Sequence, residues 1–168
     1  MTLTICFHGA ESTGKSVLAA RLAQARGWPV VAEYGRTWAE THVTDFTMDS
    51  LLAIAEGHAA QTRAALALGP PVLILDTDPL MTAAWAQMLF GTVPDVLMAY
   101  PKADHYLLFD ADVPWQADGT RFFGTAAARA QFAALAEAML VRAGVPFTRI
   151  GGSWDERGAQ AEVAIAAL

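Results

Sequence analysis

The chain has 168 residues, of which 54% are hydrophobic and 17% charged, with a formal net charge of −6. That length suffices for one domain with a real core, the composition excludes a disordered chain, and the acidic balance argues against nucleic acid as a main partner. A single cysteine, Cys6, excludes an internal disulfide and a cysteine-cluster metal site.

Residues 3–7 form an apolar run that reads as a buried strand, and residues 9 to 16 then read Gly-Ala-Glu-Ser-Thr-Gly-Lys-Ser. This is a complete G-x-x-x-x-G-K-[ST] phosphate-binding loop between a strand and a helix-like stretch, 16–26, the context the motif requires. Gly9 and Gly14 let the backbone turn its N–H groups inward on a phosphate chain, and the N-terminal end of the helix adds positive potential. Ala10, Glu11, Ser12, Thr13 and Val17 complete the nucleotide-binding stretch. Lys15 is placed to reach the β- and γ-phosphates, and the Ser16 hydroxyl to sit on Mg²⁺.

A second strand, 29–32, ends in Glu33-Tyr34-Gly35-Arg36. A carboxylate there faces the acceptor side of the phosphate chain, where a hydroxyl nucleophile has to be oriented. Arg36 can hold a phosphate or pair with Glu33. A long helix, 48–68, follows and stops at Gly69-Pro70. The third strand, 72–75, runs into Asp76-Thr77-Asp78-Pro79. Four apolar residues followed by an acid is the second nucleotide-binding signature, with Asp76 organising Mg²⁺ or its water shell. Asp78 either contributes to the acceptor site or caps the helix 79–90 that Pro79 opens.

A short helix, 94–100, leads to the fourth strand, 105–109, which ends in Asp110-Ala111-Asp112. The segment 113–129 that follows reads as a lid over ATP, with Arg121 and Arg129 available to neutralise charge on the transferred phosphoryl group. Helix 125–142 comes next, then a fifth strand, 147–150, ending in Gly151-Gly152-Ser153-Trp154. This loop is expected to border the adenine, which makes Trp154 a candidate nucleotide contact. Helix 155–167 closes the chain, capped by Ser153 or Asp155. Trp38, Trp85 and Trp115 follow strand ends, where aromatic faces serve either core packing or the stacking of a flat cationic ring. The four histidines show no metal-ligand spacing.

Strands alternating with helices predict an α/β fold, a five-stranded parallel sheet flanked by helices in three layers, as in P-loop kinases. No uncharged apolar stretch reaches membrane-spanning length and no signal peptide is evident, so a cytoplasmic enzyme with no membrane partner is expected. The sequence leaves a homo-oligomer open.

Four segments together carry a family resemblance: the loop at 9–16, Ala-Glu-Tyr-Gly-Arg at 32–36, Asp-Thr-Asp-Pro-Leu at 76–80, and Asp-Val-Pro-Trp-Gln-Ala-Asp-Gly-Thr-Arg at 112–121. In that order they resemble the ribosylnicotinamide kinase domain of NadR-type NAD biosynthesis proteins. The resemblance implies transfer of the ATP γ-phosphoryl group to the 5′-hydroxyl of nicotinamide riboside, giving nicotinamide mononucleotide. It implies ATP with Mg²⁺, a stand-alone kinase, and Tyr34, Trp85 and Trp115 as candidates for the nicotinamide pocket. Lys15, Glu33, Asp76 and Arg121 are then the catalytic candidates, with Glu33 and Asp76 as rivals for the general base. A kinase for another nucleoside, nucleotide or small alcohol, and a sensor binding ATP and a pyridine nucleotide, are the competing expectations.

Overall fold

The computed structural model describes residues 1–42, 46–114 and 124–168. Its sheet has five parallel strands in the order β2-β3-β1-β4-β5, formed by β1 (Leu3–Gly9), β2 (Val30–Val31), β3 (Val72–Asp76), β4 (His105–Phe109) and β5 (Phe147–Ile150). The helices are α1 (Lys15–Arg26), α2 (Tyr34–Thr41), α3 (Met48–Leu66), α4 (Pro79–Phe90), α5 (Asp95–Ala99), α6 (Ala126–Ala143) and α7 (Trp154–Ala166).

The central strands are apolar on both faces because both faces are covered. Ile5, Phe7, Ile74, Leu107, Phe109 and Ile150 point to one side and pack with Leu18, Leu22 and Ala161 of α1 and α7. Cys6, Leu73, Leu75, Tyr106 and Leu108 point to the other and pack with α3, α4 and α6. Small residues let α4 run close between α3 and α6, and Ala83, Ala84 and Ala86 are fully buried there.

This layering positions the site. Neighbouring strands β1 and β3 pair in parallel, yet β1 leads into α1 on one face and β3 into α4 on the other. The connections diverge and leave a crevice at the carboxyl ends of the two strands, where α/β sheets bind ligands. The phosphate-binding loop forms one lip and Asp76-Thr77 the other.

The expected helix boundaries hold to within about two residues, the ordinary fraying range. The alternative cap for the last helix resolves to Ser153, which forms a reciprocal capping box with Glu156. Helix α2 is not among the expected elements: Glu33 to Arg36, where the second strand was expected to end, is the start of a helix with Glu33 at its N-cap. Eight residues containing a glycine and two threonines are too short for a convincing helical period. Tyr34 and Trp38 hold it by packing against the α3–α4 side of the core.

Candidate nucleotide and acceptor site

The phosphate-binding loop has the strained geometry its motif demands. Gly9 has φ 134°, and a Cβ there would lie 2.6 Å from the Phe109 carbonyl oxygen. Gly14 has φ 85° and is the N-cap of α1, so the loop delivers its chain directly onto a helix N-terminus. Ser12, at φ 61°, completes the turn.

Lys15 is buried, and its ammonium donates to the Ala10 carbonyl at 2.7 Å. The Thr13 hydroxyl donates to the same carbonyl at 2.9 Å. Burial pulls the Lys15 pKa below its ordinary value, while Glu33 first, then Asp76 and Glu11, hold the charge in place. Cation and carboxylates therefore share one electrostatic cluster at the loop.

Glu33 caps no backbone N–H of α2 with its side chain. It is left facing the cavity, with 31% of its side chain exposed and Arg36 at 3.8 Å. The surrounding walls raise the Glu33 carboxyl above its usual range; Lys15 opposes the rise and Asp76 adds to it.

Asp76 ends β3, nearly fully buried, and its Oδ1 has no hydrogen-bond partner. An orphaned carboxylate oxygen beside a phosphate-binding loop suits an octahedral cation that keeps part of its water shell. Ser16, on the first turn of α1, lines the cavity that Glu33 faces, while Asp76 directly precedes the lining residue Thr77 in the chain and does not itself line it. The donor set thus fits Mg²⁺, with Ser16 and Asp76 as the residues that would hold it. Thr77 follows at φ 69°, a conformation a β-branched residue rarely adopts, and it too lines the cavity.

The cavity has a volume of about 160 Å³. Among the described residues it is continuous from Gly9–Val17, past Glu33 and Arg36, to a wall made by Phe46, Trp85 and Phe132. Trp85 packs against both phenylalanines, with ring centroids 5.7 Å from Phe46 and 5.3 Å from Phe132. Met81, Leu51 and Ile54 complete this apolar end, and no Asn or Gln lines it among the described residues.

The sequence-derived site is thus largely gathered in one place: Glu11, Ser12, Lys15, Ser16, Val17, Glu33, Arg36 and Trp85 all line the cavity. Tyr34 is used differently. Its ring lies against Gly57, where a Cβ would collide with it, and so packs α2 onto α3. Asp78 is also turned inward, accepting from Leu80 N at 3.0 Å as the cap of α4 and from the Tyr106 hydroxyl. It does not line the cavity. Trp154 sits at the start of α7 with its ring against Gly14, behind the phosphate-binding loop. Arg129 donates to the Val113 carbonyl at 2.9 Å, and its Nε and Nη2 are buried without a partner. Trp115 and Arg121 lie outside the described residues.

Sequence reasoning missed Phe46, Thr77 and Phe132 on the cavity wall. Phe132 was hidden as one apolar residue on an alanine-rich helix, and Phe46 as a loop residue before a cap. Thr77 carried a signal, because it stands between two acids at a strand end.

A phosphate-binding loop opening the first helix of a five-stranded parallel sheet, with an acid at the end of the neighbouring strand, defines a P-loop nucleotide-binding protein of the kinase fold. Residues 4–157 match the family described as AAA domain, and the chain belongs to that family. It is 29% identical over 154 residues to the trifunctional NAD biosynthesis/regulator protein NadR of Escherichia coli (strain K12), and equally to that of Salmonella typhimurium. The match takes in 88% of this chain but 38% of those proteins, so the chain spans well under half the length of the curated relatives it matches. Among solved structures, a NadR protein in complex with NR superposes with a TM-score of 0.78 at 19% identity, over 99% of this chain and 49% of that one. A thymidylate kinase from Ehrlichia chaffeensis superposes with a TM-score of 0.69 at 14% identity, over 99% of both chains. Among the described residues no helix is long and apolar enough to cross a membrane.

Proposed function

We propose that this chain phosphorylates the 5′-hydroxyl of nicotinamide riboside with ATP, yielding nicotinamide mononucleotide and ADP. The observation that carries the reading is the placement of Glu33 in one continuous cavity, between the phosphate-binding loop and an aromatic wall. Nicotinamide riboside ends in a flat cationic ring at one side and a primary hydroxyl at the other. Phe46, Trp85 and Phe132 line one end of the cavity, and aromatic rings are the groups that attract a cationic ring. The absence of Asn and Gln from the described lining suits a base that needs little edge recognition. The curated NadR relatives are NAD biosynthesis proteins by name, and one NadR structure holds NR.

In this mechanism the loop N–H groups and Lys15 hold the β- and γ-phosphates, which keeps the γ-phosphorus in line with the acceptor. Glu33 accepts the proton of the 5′-hydroxyl as its oxygen attacks, and the β–γ bridging oxygen leaves with ADP. The raised carboxyl of Glu33 brings its basicity closer to neutral pH. Mg²⁺, held through Ser16 and Asp76, would supply neutralisation of phosphate charge. Arg36, which lines the cavity, adds positive charge around the transferred group.

The purified protein should be given Mg²⁺, ATP and a panel of nicotinamide riboside, thymidine and deoxyadenosine, with products read by mass. Nicotinamide mononucleotide is expected as the dominant product. Turnover of the other nucleosides without it would replace the acceptor, and a failure to consume ATP with any of them would remove the kinase reading.

A further inference from the structure

The largest fully buried side chain among the described residues is not an aromatic but Arg157, on the first turn of α7. A cation at that end of a helix opposes the helix dipole, and a fully buried guanidinium is costly unless every donor is used. Here all three nitrogens donate, to acceptors on three separate loops. Nε donates to the Gly152 carbonyl at 3.0 Å, Nη1 to the Thr13 carbonyl at 3.1 Å and Nη2 to the Asp110 carbonyl at 3.1 Å. Nη2 also pairs with the Asp112 carboxylate, whose other oxygen accepts from Gly152 N at 2.7 Å.

The three loops are those that follow β1, β4 and β5, and Thr13 belongs to the phosphate-binding loop itself. No peptide bond among the described residues is cis. In a trans peptide the carbonyl and the next N–H point in opposite directions. Holding the Thr13 carbonyl outward on Arg157 therefore turns the Gly14 N–H the other way, into the phosphate cradle. Only the planar fork of arginine reaches acceptors on three loops at once; a lysine ammonium offers its donors from one point.

We infer that Arg157 is a positioning residue for nucleotide binding: it fixes the Thr13–Gly14 peptide in its anion-receiving orientation and ties that orientation to the Asp110–Asp112 and Gly151–Gly152 corners. It touches neither phosphate nor acceptor, because the Thr13–Gly14 peptide stands between. The inference rests on the ATP-binding half of the proposed function and not on the acceptor.

Three variants test it: Arg157→Lys, Arg157→Ala and, on the exposed side, Asp112→Asn. Mg·ATP binding is measured by calorimetry without any acceptor, alongside thermal unfolding. Arg157→Lys and Arg157→Ala should weaken Mg·ATP binding by roughly tenfold or more, the loss expected for charge-assisted bonds. Asp112→Asn should weaken it by a few-fold, about half the free-energy effect. Millimolar guanidinium should restore binding to Arg157→Ala, whereas methylammonium should not. In turnover assays KM for ATP should rise while kcat at saturating ATP stays within about threefold, the pattern of lost uniform binding. Wild-type ATP affinity in a folded Arg157→Lys protein, or a fall in melting temperature alone across the set, overturns the inference. A wild type that binds Mg·ATP but leaves nicotinamide riboside untouched refutes the acceptor and leaves the role of Arg157 standing.

Discussion

The indole of Trp154 lies directly against Gly14, so that a Cβ on Gly14 would run into the six-membered ring. Two constraints therefore meet at one residue: the space is taken and φ is 85°. Gly14→Ala should keep the fold, because the change falls in the connection between β1 and α1 and leaves both core clusters untouched. Mg·ATP affinity should fall by at least tenfold, since the loop must shift its N–H groups to relieve the clash. Calorimetric titration with Mg·ATP checks this, and unchanged affinity would show that the indole simply swings aside. The double change Gly14→Ala with Trp154→Ala separates the causes: recovery of binding assigns the loss to the ring, and continued loss assigns it to the positive φ.

Glu33 lines the cavity, as Glu11 of the phosphate-binding loop also does, whereas Asp76 is buried at the end of β3 and does not. Glu33→Gln should lower kcat by roughly a hundredfold or more, as for loss of a general base, with ATP affinity nearly unchanged. Because the walls raise the Glu33 carboxyl, wild-type kcat should climb as pH rises through its pKa and then level. The glutamine variant should lose that limb. A pH profile of kcat for both proteins decides the matter. Asp76→Asn should instead raise the Mg²⁺ requirement, and a variant that merely lost the acidic limb would exchange the two roles.

The parts of this site legible in the sequence were those whose chemistry is local. A phosphate-binding loop works through consecutive backbone groups, so spacing alone announces it, and Asp76 follows four apolar residues of a buried strand. The acceptor side is different. Phe46, Trp85 and Phe132 come from a loop and two helices and meet only because α4 packs between its neighbours. Tyr34 and Asp78 show the converse. Both stand beside motif residues and carry suitable chemistry, yet one packs α2 on α3 and the other caps α4. Proximity in sequence to a strand end sets where the backbone is, not which way the side chain turns. Arg157 carried no signal, since two of its three acceptor loops lie far from it along the chain, at Thr13 and Asp110.

Two buried imidazoles set an acid limit on stability. His8 hydrogen-bonds the Ala136 carbonyl through Nε2 at 2.9 Å, leaving Nδ1 buried without a partner. His58 is buried on α3, with Nε2 likewise partnerless. Burial lowers both pKa values to about 4. In the unfolded chain each titrates near about 6.5, so between that value and about 4 the unfolded state takes up protons that the folded state refuses. Stability is therefore full above the unfolded value and falls as pH drops, by up to about 3 kcal/mol per imidazole. Asp78 works the other way. Its carboxyl is raised to about 6 by burial, so protonation favours the fold below that pH and offsets part of the loss. The net expectation is a denaturation midpoint that falls between pH 6.5 and 4, and that His58→Gln makes less steep. Urea titrations across this range provide the measurement; a flat midpoint that His58→Gln leaves unchanged would mean that His58 titrates in the folded protein as it does in the unfolded chain.

The aromatic wall provides the sharpest test of the acceptor. Trp85 is partly buried, contacts both Phe46 and Phe132, and lines the cavity, so replacing it alters both packing and recognition. Trp85→Phe keeps an aromatic face, and Trp85→Ala removes it. If a cationic ring stacks there, KM for nicotinamide riboside should rise modestly in the first variant and by roughly tenfold or more in the second, with KM for ATP unchanged in both. Loss of packing alone would instead lower the melting temperature and raise both constants together. The neutral, reduced form of the riboside separates charge from shape. It keeps the hydroxyl and nearly the same outline but lacks the positive charge, so its KM should exceed that of the cationic form by a few-fold, in line with a cation–π contribution of about 0.5–2 kcal/mol. That gap should close in Trp85→Ala. Equal KM values for the two forms in the wild type would remove the cation from the argument and return the wall to a general hydrophobic role.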